Sequence, residues 1–529
     1  MSVSMPARDG VCRTCCRGIY SCHWRQRSDR KRRCACCWFC SLSLVFLFAL
    51  FWMYVCLVTY NDRDDVNWKA FTHLKQWVNW FMVVVTISGV LVTYCFLLLL
   101  LALFQAALRE PLDLHWLHKV LLFLTVLMIG AAVAGMTLKW RPEWNVVYLS
   151  LQATAPFLQL GGVGAVTLLS GFVFQRVLRT RSAVSGAVTM LAFMVVSAPI
   201  FLCPIFITSP CLLEKHDLPQ KPALVGHRGA PMLAPENTMM SFRKSVECGV
   251  TAFETDVQVS MDGVPFLMHD HGNRFLCRTT NSKEAYNHSS QVTWKELQVL
   301  NAGSWFLEND PFRTVSSLSE EDRAESGNQT IPSLADLLVL ARQHNISVIF
   351  DMKNDKVNGS DNDTRRTVDT IVRSNISHEL VWWLPPIHRK YVKNAVPGFQ
   401  HFYANWTKMK AAQAKQLNVK YSALDTESIR ELRREGVSVN LYVVNEPWLF
   451  SLLWCANASS VTTNACHRFK DMSEPIWRMS PQIYTIVWIS VDVGSVVMMV
   501  MLFFLQRKRE LRRRSAGLNQ MELHPFLRS

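Results

Sequence analysis

Apolar residues gather in six long runs, five of them before residue 210, and recur in short bursts between 223 and 464. The long runs fall at 38–59, 82–104, 117–136, 154–174, 184–207 and 482–505. Each is long enough to cross a hydrocarbon core of roughly 30 Å, so the pattern predicts six transmembrane helices. The third is the shortest and opens on His118 and Lys119. A single run of this kind also fits a buried soluble helix; six together do not.

Between the fifth and sixth runs the period changes. Short β-type stretches recur at 223–229, 251–259, 264–270, 347–353, 380–385, 418–424, 437–445 and 459–464, with helix-like segments such as "PENTMMSFRKSVECG" and "IPSLADLLVLARQHN" between several of them. Strand followed by helix, repeated, predicts a parallel sheet. Residues 218–475 have about the length of one (β/α)8 TIM barrel, roughly 250 residues. Residues 282–330 are polar and read as an insertion or long loop. The expected fold class is therefore a multi-pass α-helical membrane protein with six spans carrying an α/β barrel. Its parts are a basic, cysteine-rich tail (1–37), five helices (38–210), the barrel (218–475), a sixth helix (482–505) and a basic tail (506–529).

Composition agrees with that split: of 529 residues, 50% are hydrophobic and 18% charged. The net charge of +15 is concentrated beside the spans. Arg8, Arg13, Arg17, Arg25, Arg27, Arg30, Lys31, Arg32 and Arg33 precede the first, Arg176, Arg179 and Arg181 follow the fourth, and "RKRELRRR" follows the sixth. Positive flanks belong inside, which places both termini in the cytoplasm and residues 211–479 on the extracytoplasmic side, lumenal or at the cell surface. The excess charge thus serves orientation and attraction to anionic lipid, and no nucleic-acid partner is expected. The spans carry no cluster of Asp, Glu, Lys or Arg of the kind that marks a transport path. The outer placement has independent support in eight Asn-X-Ser/Thr sequons, all within 211–479: Asn287, Asn328, Asn345, Asn358, Asn362, Asn375, Asn405 and Asn457. Chance supplies about three, so N-linked glycans are expected at these positions.

Eight of the sixteen cysteines lie in the first forty residues: Cys12, Cys15, Cys16, Cys22, Cys34, Cys36, Cys37 and Cys40. Beside arginines and a membrane they suit palmitoylation better than zinc, since their spacings form no pair of CxxC knuckles. Disulfides are expected among Cys211, Cys248, Cys277, Cys455 and Cys466 in the outer segment, with Cys455 and Cys466 one candidate pair and the pairing left open.

Chemistry-bearing residues close the β-type runs. His227 and Arg228 end the first, Glu254 and Asp256 lie in the second, His269 and Asp270 end the third, and Asp351 and Lys353 end the fourth. In a barrel these ends form the catalytic rim. Glu254 and Asp256 share one face of a strand, as do Asp351 and Lys353, because side chains alternate. Three carboxylates converging on one rim need a cation among them, and oxygen donors select Ca2+ or Mg2+ over zinc. Two histidines beside it suit a base and an acid. Singly, each feature is commonplace as a surface pair, a glycine turn, a loop cap or a local ion pair. Four together at four strand ends point to a site.

The stretches "GHRGAP", "PENT", "FETDVQVSMDGVPFLMHD" and "RTTN", in this order, resemble the glycerophosphodiester phosphodiesterase family. The six-span frame is similar to that family's multi-pass branch, whose barrel is extracellular. The resemblance implies His227 and His269 as an acid/base pair, Arg228 as phosphate clamp, Glu254, Asp256 and Asp351 as ligands of a divalent cation, and Lys353 as a charge neutraliser. It also implies a route in which one histidine deprotonates the glycerol hydroxyl that attacks phosphorus, the other protonates the departing alcohol, and water opens the cyclic product. Two features depart from the family pattern: Asp351 stands where Glu is usual, and the spacer "HGNRFLC" is longer than usual. The expected function is hydrolysis of glycerophosphodiesters at the cell surface, with glycerophosphoinositol favoured over glycerophosphocholine. Cleavage of glycolipid anchors on surface proteins and a binding-only barrel remain the alternatives.

Overall fold

The structure is a computed structural model that describes residues 15, 18–22, 35–74, 78–108, 112–180, 182–272, 275–284, 286–353 and 361–523. Outside the described residues lie the basic positions from Arg8 to Arg33 named above, together with Cys12, Cys16, Cys34, Arg181 and Asn358. Two compact units divide the chain, Met1–Tyr148 and Leu149–Ser529.

Helices satisfy their backbone groups within themselves, and among the described residues six are long and apolar enough to cross a membrane: Cys37–Phe71, Trp80–Gln105, Trp116–Lys139, Glu143–Arg179, Ala183–Ile205 and Pro481–Arg513. In the first unit, Leu42, Cys95, Leu98, Ala102 and Leu122 pack into one apolar cluster. Trp52 Nε1 donates across it to Ser88 Oγ at 3.0 Å.

In the second unit the short β-type runs assemble into a ring. Its strands are β1 (Ala223–His227), β2 (Ala252–Val259), β4 (Ser347–Met352), β5 (Val381–Trp383), β6 (Gln400–His401), β7 (Gln416–Lys420), β8 (Ser438–Tyr442) and β9 (Ser460–Thr463). They are hydrogen-bonded in the order β6-β5-β4-β2-β1-β9-β8-β7. Every neighbouring pair is parallel. A parallel bridge between Tyr403 and Leu417 brings β6 beside β7, so eight strands nearly close a barrel. β2 is buried along almost its whole length, as a parallel strand covered on both faces must be. Residues 282–330 hold three short helices, Trp294–Gln298, Ser304–Asn309 and Glu320–Gly327.

Two expectations are corrected here. The run at 264–270 is not a barrel strand. Its strand, β3 (Pro265–Leu267), pairs antiparallel with β2 in the register Val257 to Leu267 and Val259 to Pro265. Five residues separate the two, far fewer than a parallel crossover needs, and Gly263 at φ +85° turns the chain straight back. The eighth barrel strand is instead β6, two residues long.

Nor do Cys455 and Cys466 pair with each other. Cys211 bonds to Cys455 (Cα–Cα 5.1 Å) and Cys248 to Cys466 (5.8 Å). Strand β9 runs between Cys455 and Cys466 as roughly 13 Å of extended chain, beyond the roughly 7 Å that a disulfide spans. The Cys211–Cys455 bond lies where the segments joining the barrel to its flanking helices meet, since Leu213 N–H donates to Met479 O and Met479 N–H to Cys211 O, each at 3.1 Å. Peptide mapping without reduction should recover 211–455 and 248–466 linkages; a 455–466 peptide would overturn this arrangement. Cys211→Ala or Cys455→Ala should lower the barrel's stability by about 2–5 kcal/mol, read as an earlier thermal transition.

Candidate active site

The turn after β1 is built for close approach. A Cβ on Gly226 would meet Gly229 O at 2.7 Å, and Gly229 itself is held at φ +90°. Between them, Arg228 takes the left-handed conformation (φ +54°), an uncommon one for a side chain of its size. Arg228 N–H donates to Glu254 O at 2.9 Å and lies 3.1 Å from Glu254 Oε2. The strain therefore sets the guanidinium's origin directly over β2. Next, Thr238 caps the helix Met239–Glu247 by accepting from Ser241 N–H, and Asn237 N–H donates to Arg228 O at 3.0 Å. This cap fixes Glu236 and Asn237 beside the same strand.

All seven expected residues lie at one rim. His227 ends β1 in register with Glu254, and Asp256 pairs with Asp351 across β2 and β4. His227 Nε2 is 3.8 Å from Glu254 Oε2. Arg228 Nε lies 3.2 Å from Asp256 Oδ2 but off the hydrogen-bonding direction, leaving that buried nitrogen without a hydrogen-bond partner. Lys353 Nζ reaches Asp351 Oδ2 at 2.6 Å and Asp256 Oδ1 at 3.3 Å. The ammonium thus stands between two of the three carboxylates expected to hold a cation. Among the described residues no three His, Cys, Asp or Glu side chains are gathered closely enough to enclose a metal ion.

Several neighbours escaped the sequence reading. Asn464, just past β9, has Oδ1 2.6 Å from His227 Nδ1, and its backbone N–H donates to Asn445 Oδ1 at 2.9 Å. Asn237 Nδ2 donates to Asp256 Oδ2 at 3.0 Å. Asp270, already named beside His269, has Oδ1 2.9 Å from His269 Nδ1. Arg278, from "RTTN", donates through Nε to Asp270 Oδ2 at 2.7 Å and grips Glu236 through both terminal nitrogens. Glu236, from "PENT", also accepts from Arg228 Nη1 at 3.1 Å. Both motifs were visible as a resemblance, but neither residue ends a strand, so nothing local assigned it to the rim.

Electrostatics separates these groups. Burial, followed by the negative charges of Asp256 and Asp351, pushes the Glu254 carboxyl up to about 8. Burial opposes ionisation of Asp256 too, yet the Arg228 and Lys353 cations and the Asn237 hydrogen bond hold it below the usual range. Asp270 is held low in the same way, with Arg278 overcoming its burial. Burial and the Arg228 charge push the His227 imidazole down to about 3, and the same two causes lower His269. Both histidines therefore rest neutral, one nitrogen able to take a proton.

Residues 227–472 match the glycerophosphoryl diester phosphodiesterase family. A Mus musculus protein named glycerophosphoinositol inositolphosphodiesterase GDPD2 is 45% identical over 507 residues, covering 93% of this chain and 93% of that protein. A Gallus gallus protein named glycerophosphodiester phosphodiesterase domain-containing protein 5 is 39% identical over 511 residues, covering 94% of this chain and 84% of that protein. A solved Oleispira antarctica phosphodiesterase in complex with sn-glycerol-3-phosphate covers 47% of this chain and 95% of its own, at 20% identity and a TM-score of 0.39. By its long matches to curated relatives and its six membrane-length helices, the chain belongs to the multi-pass branch of the glycerophosphoryl diester phosphodiesterase family.

Proposed function

We propose that this phosphodiesterase hydrolyses glycerophosphodiesters at the outer face of the plasma membrane, with a divalent cation, and that glycerophosphoinositol is its preferred substrate. One observation carries the chemistry: His227 and His269 stand at a single rim beside a buried group of carboxylates and cations. Glu236, Glu254, Asp256, Asp270 and Asp351 face Arg228, Arg278 and Lys353, which leaves two negative charges uncompensated when all are ionised. Burial, followed by the charges of Asp256 and Asp351, raises the Glu254 carboxyl in this group. Oxygen donors on adjacent strands with two surplus charges fit a hard divalent cation, Ca2+ or Mg2+, which Glu254, Asp256 and Asp351 would hold. Bound there, the cation supplies charge stabilisation to the phosphodiester.

The chain's own residues divide the remaining work. Arg228, with its unsatisfied Nε, and Lys353 offset phosphate charge. His227 and His269 exchange protons with the attacking hydroxyl and the departing alcohol. Asn464 and Asp270 fix their Nδ1 atoms, so each ring presents Nε2 to the reacting groups. The preference for glycerophosphoinositol rests on the name of the 45%-identical mouse relative.

The outer location is supported by sequon exposure and by the disulfides. Asn287, Asn328, Asn345, Asn362, Asn375 and Asn405 are exposed and Asn457 half-buried, open to glycosylation. The two disulfides of the second unit suit an oxidising compartment. Cells expressing the chain should release product into medium supplied with glycerophosphoinositol. Glu254→Ala and chelation should abolish release, and His269→Ala should reduce it by about 10²–10⁴-fold; undiminished turnover by Glu254→Ala rules out the cation site. N-glycosidase treatment should increase electrophoretic mobility. An unchanged apparent mass contradicts the outer placement of 211–479.

A further inference from the structure

Arg278 is a buried arginine, its side chain only 13% exposed. It occupies the midpoint of an unbroken chain of contacts. On one side its Nε donates to Asp270, whose other oxygen lies 2.9 Å from His269 Nδ1. On the other side Nη1 and Nη2 hold Glu236, whose Oε1 accepts from Arg228. The guanidinium also lies over the Trp305 ring, 5.1 Å from its centroid, which fixes its plane from the segment between β3 and β4. Asp270 and Glu236 are almost completely buried, with side chains 1% and 8% exposed. Two carboxylates so placed remain ionised and oriented only if a cation bridges them, and a planar guanidinium can serve both at once.

We infer that Arg278 is a positioning residue that aligns His269 and Arg228 with each other, acting through Asp270 on one arm and Glu236 on the other. The inference rests on the proposed phosphodiesterase reading, in which His269 exchanges a proton and Arg228 clamps the phosphate. The two arms have different kinetic consequences. Loss of the Asp270 arm lets the His269 ring turn, which affects proton transfer but not substrate charge recognition. Loss of the Glu236 arm releases Arg228, which weakens binding of the phosphate in ground and transition states alike. Loss of Arg278 releases both.

The test is a comparison of kcat and KM for glycerophosphoinositol, with the full chain in cell membranes and rates normalised to folded, surface-exposed protein. Asp270→Asn should lower kcat about 10²-fold with KM changed less than about threefold. Glu236→Gln should raise KM about 10-fold with kcat changed less than about threefold. Arg278→Gln should show both effects, and Arg278→Lys, which keeps the charge but not the fork, should recover part of each. A general loss of structure moves all variants alike. An active wild type with Arg278→Gln unchanged, or with the same kcat and KM pattern in Asp270→Asn and Glu236→Gln, overturns the inference alone. A wild type inert on every glycerophosphodiester overturns it together with the reading beneath it.

Discussion

Charge compensation in a buried place is the constraint on which the rim depends. Asp256, with its side chain 2% exposed, stays ionised because Arg228, Lys353 and Asn237 converge on it from three different segments. Removing one partner of such a buried pair generally costs about 3–5 kcal/mol, because the remaining charge has no water to turn to. The segments that carry the partners are therefore bound to one another by the same contacts that prepare the chemistry. The left-handed backbone at Arg228 is tolerable for this reason: Glu254 and Glu236 hold the residue through its backbone N–H and its guanidinium. Stability and readiness for an anionic substrate have the same source.

Legibility in the sequence followed the range of the physics. Residues at strand ends were readable because a strand's period of two and the barrel's polarity together dictate where they point: His227, Glu254, Asp256 and Asp351 needed no further information. Glu236, Arg278 and Asn464 lie in turns whose positions depend on caps and on contacts tens or hundreds of residues away. Their motifs were conspicuous but their partners were not. The same distinction explains the strand errors. At two residues β6 carries no periodic signal, whereas 264–270 does contain a strand, and only the shortness of the preceding turn shows it to be antiparallel. The disulfide pairing was not legible because it joins segments more than two hundred residues apart, and the candidate pair Cys455 and Cys466 is separated by β9.

The barrel's tether lies away from its chemistry. Cys455 precedes β9 and bonds to Cys211, beside the paired segments at Leu213 and Met479, while the candidate site occupies the opposite, C-terminal ends of the strands. A covalent bond and a backbone bridge at one end restrain the domain without placing demands on the rim. The loops over the rim are then free to vary with substrate, which is where head-group selection is expected in this fold.

Lys353 and Asp351 pull the site in opposite directions. A carboxylate one methylene shorter than glutamate reaches less far into the rim, and in this structure it is engaged by the Lys353 ammonium, which also touches Asp256. Burial first, and then the negative charges of Asp256 and Asp351, raise the Glu254 carboxyl beside them. A divalent cation held by Glu254, Asp256 and Asp351 would supply to all three the positive charge that the single Lys353 ammonium brings to only two of them.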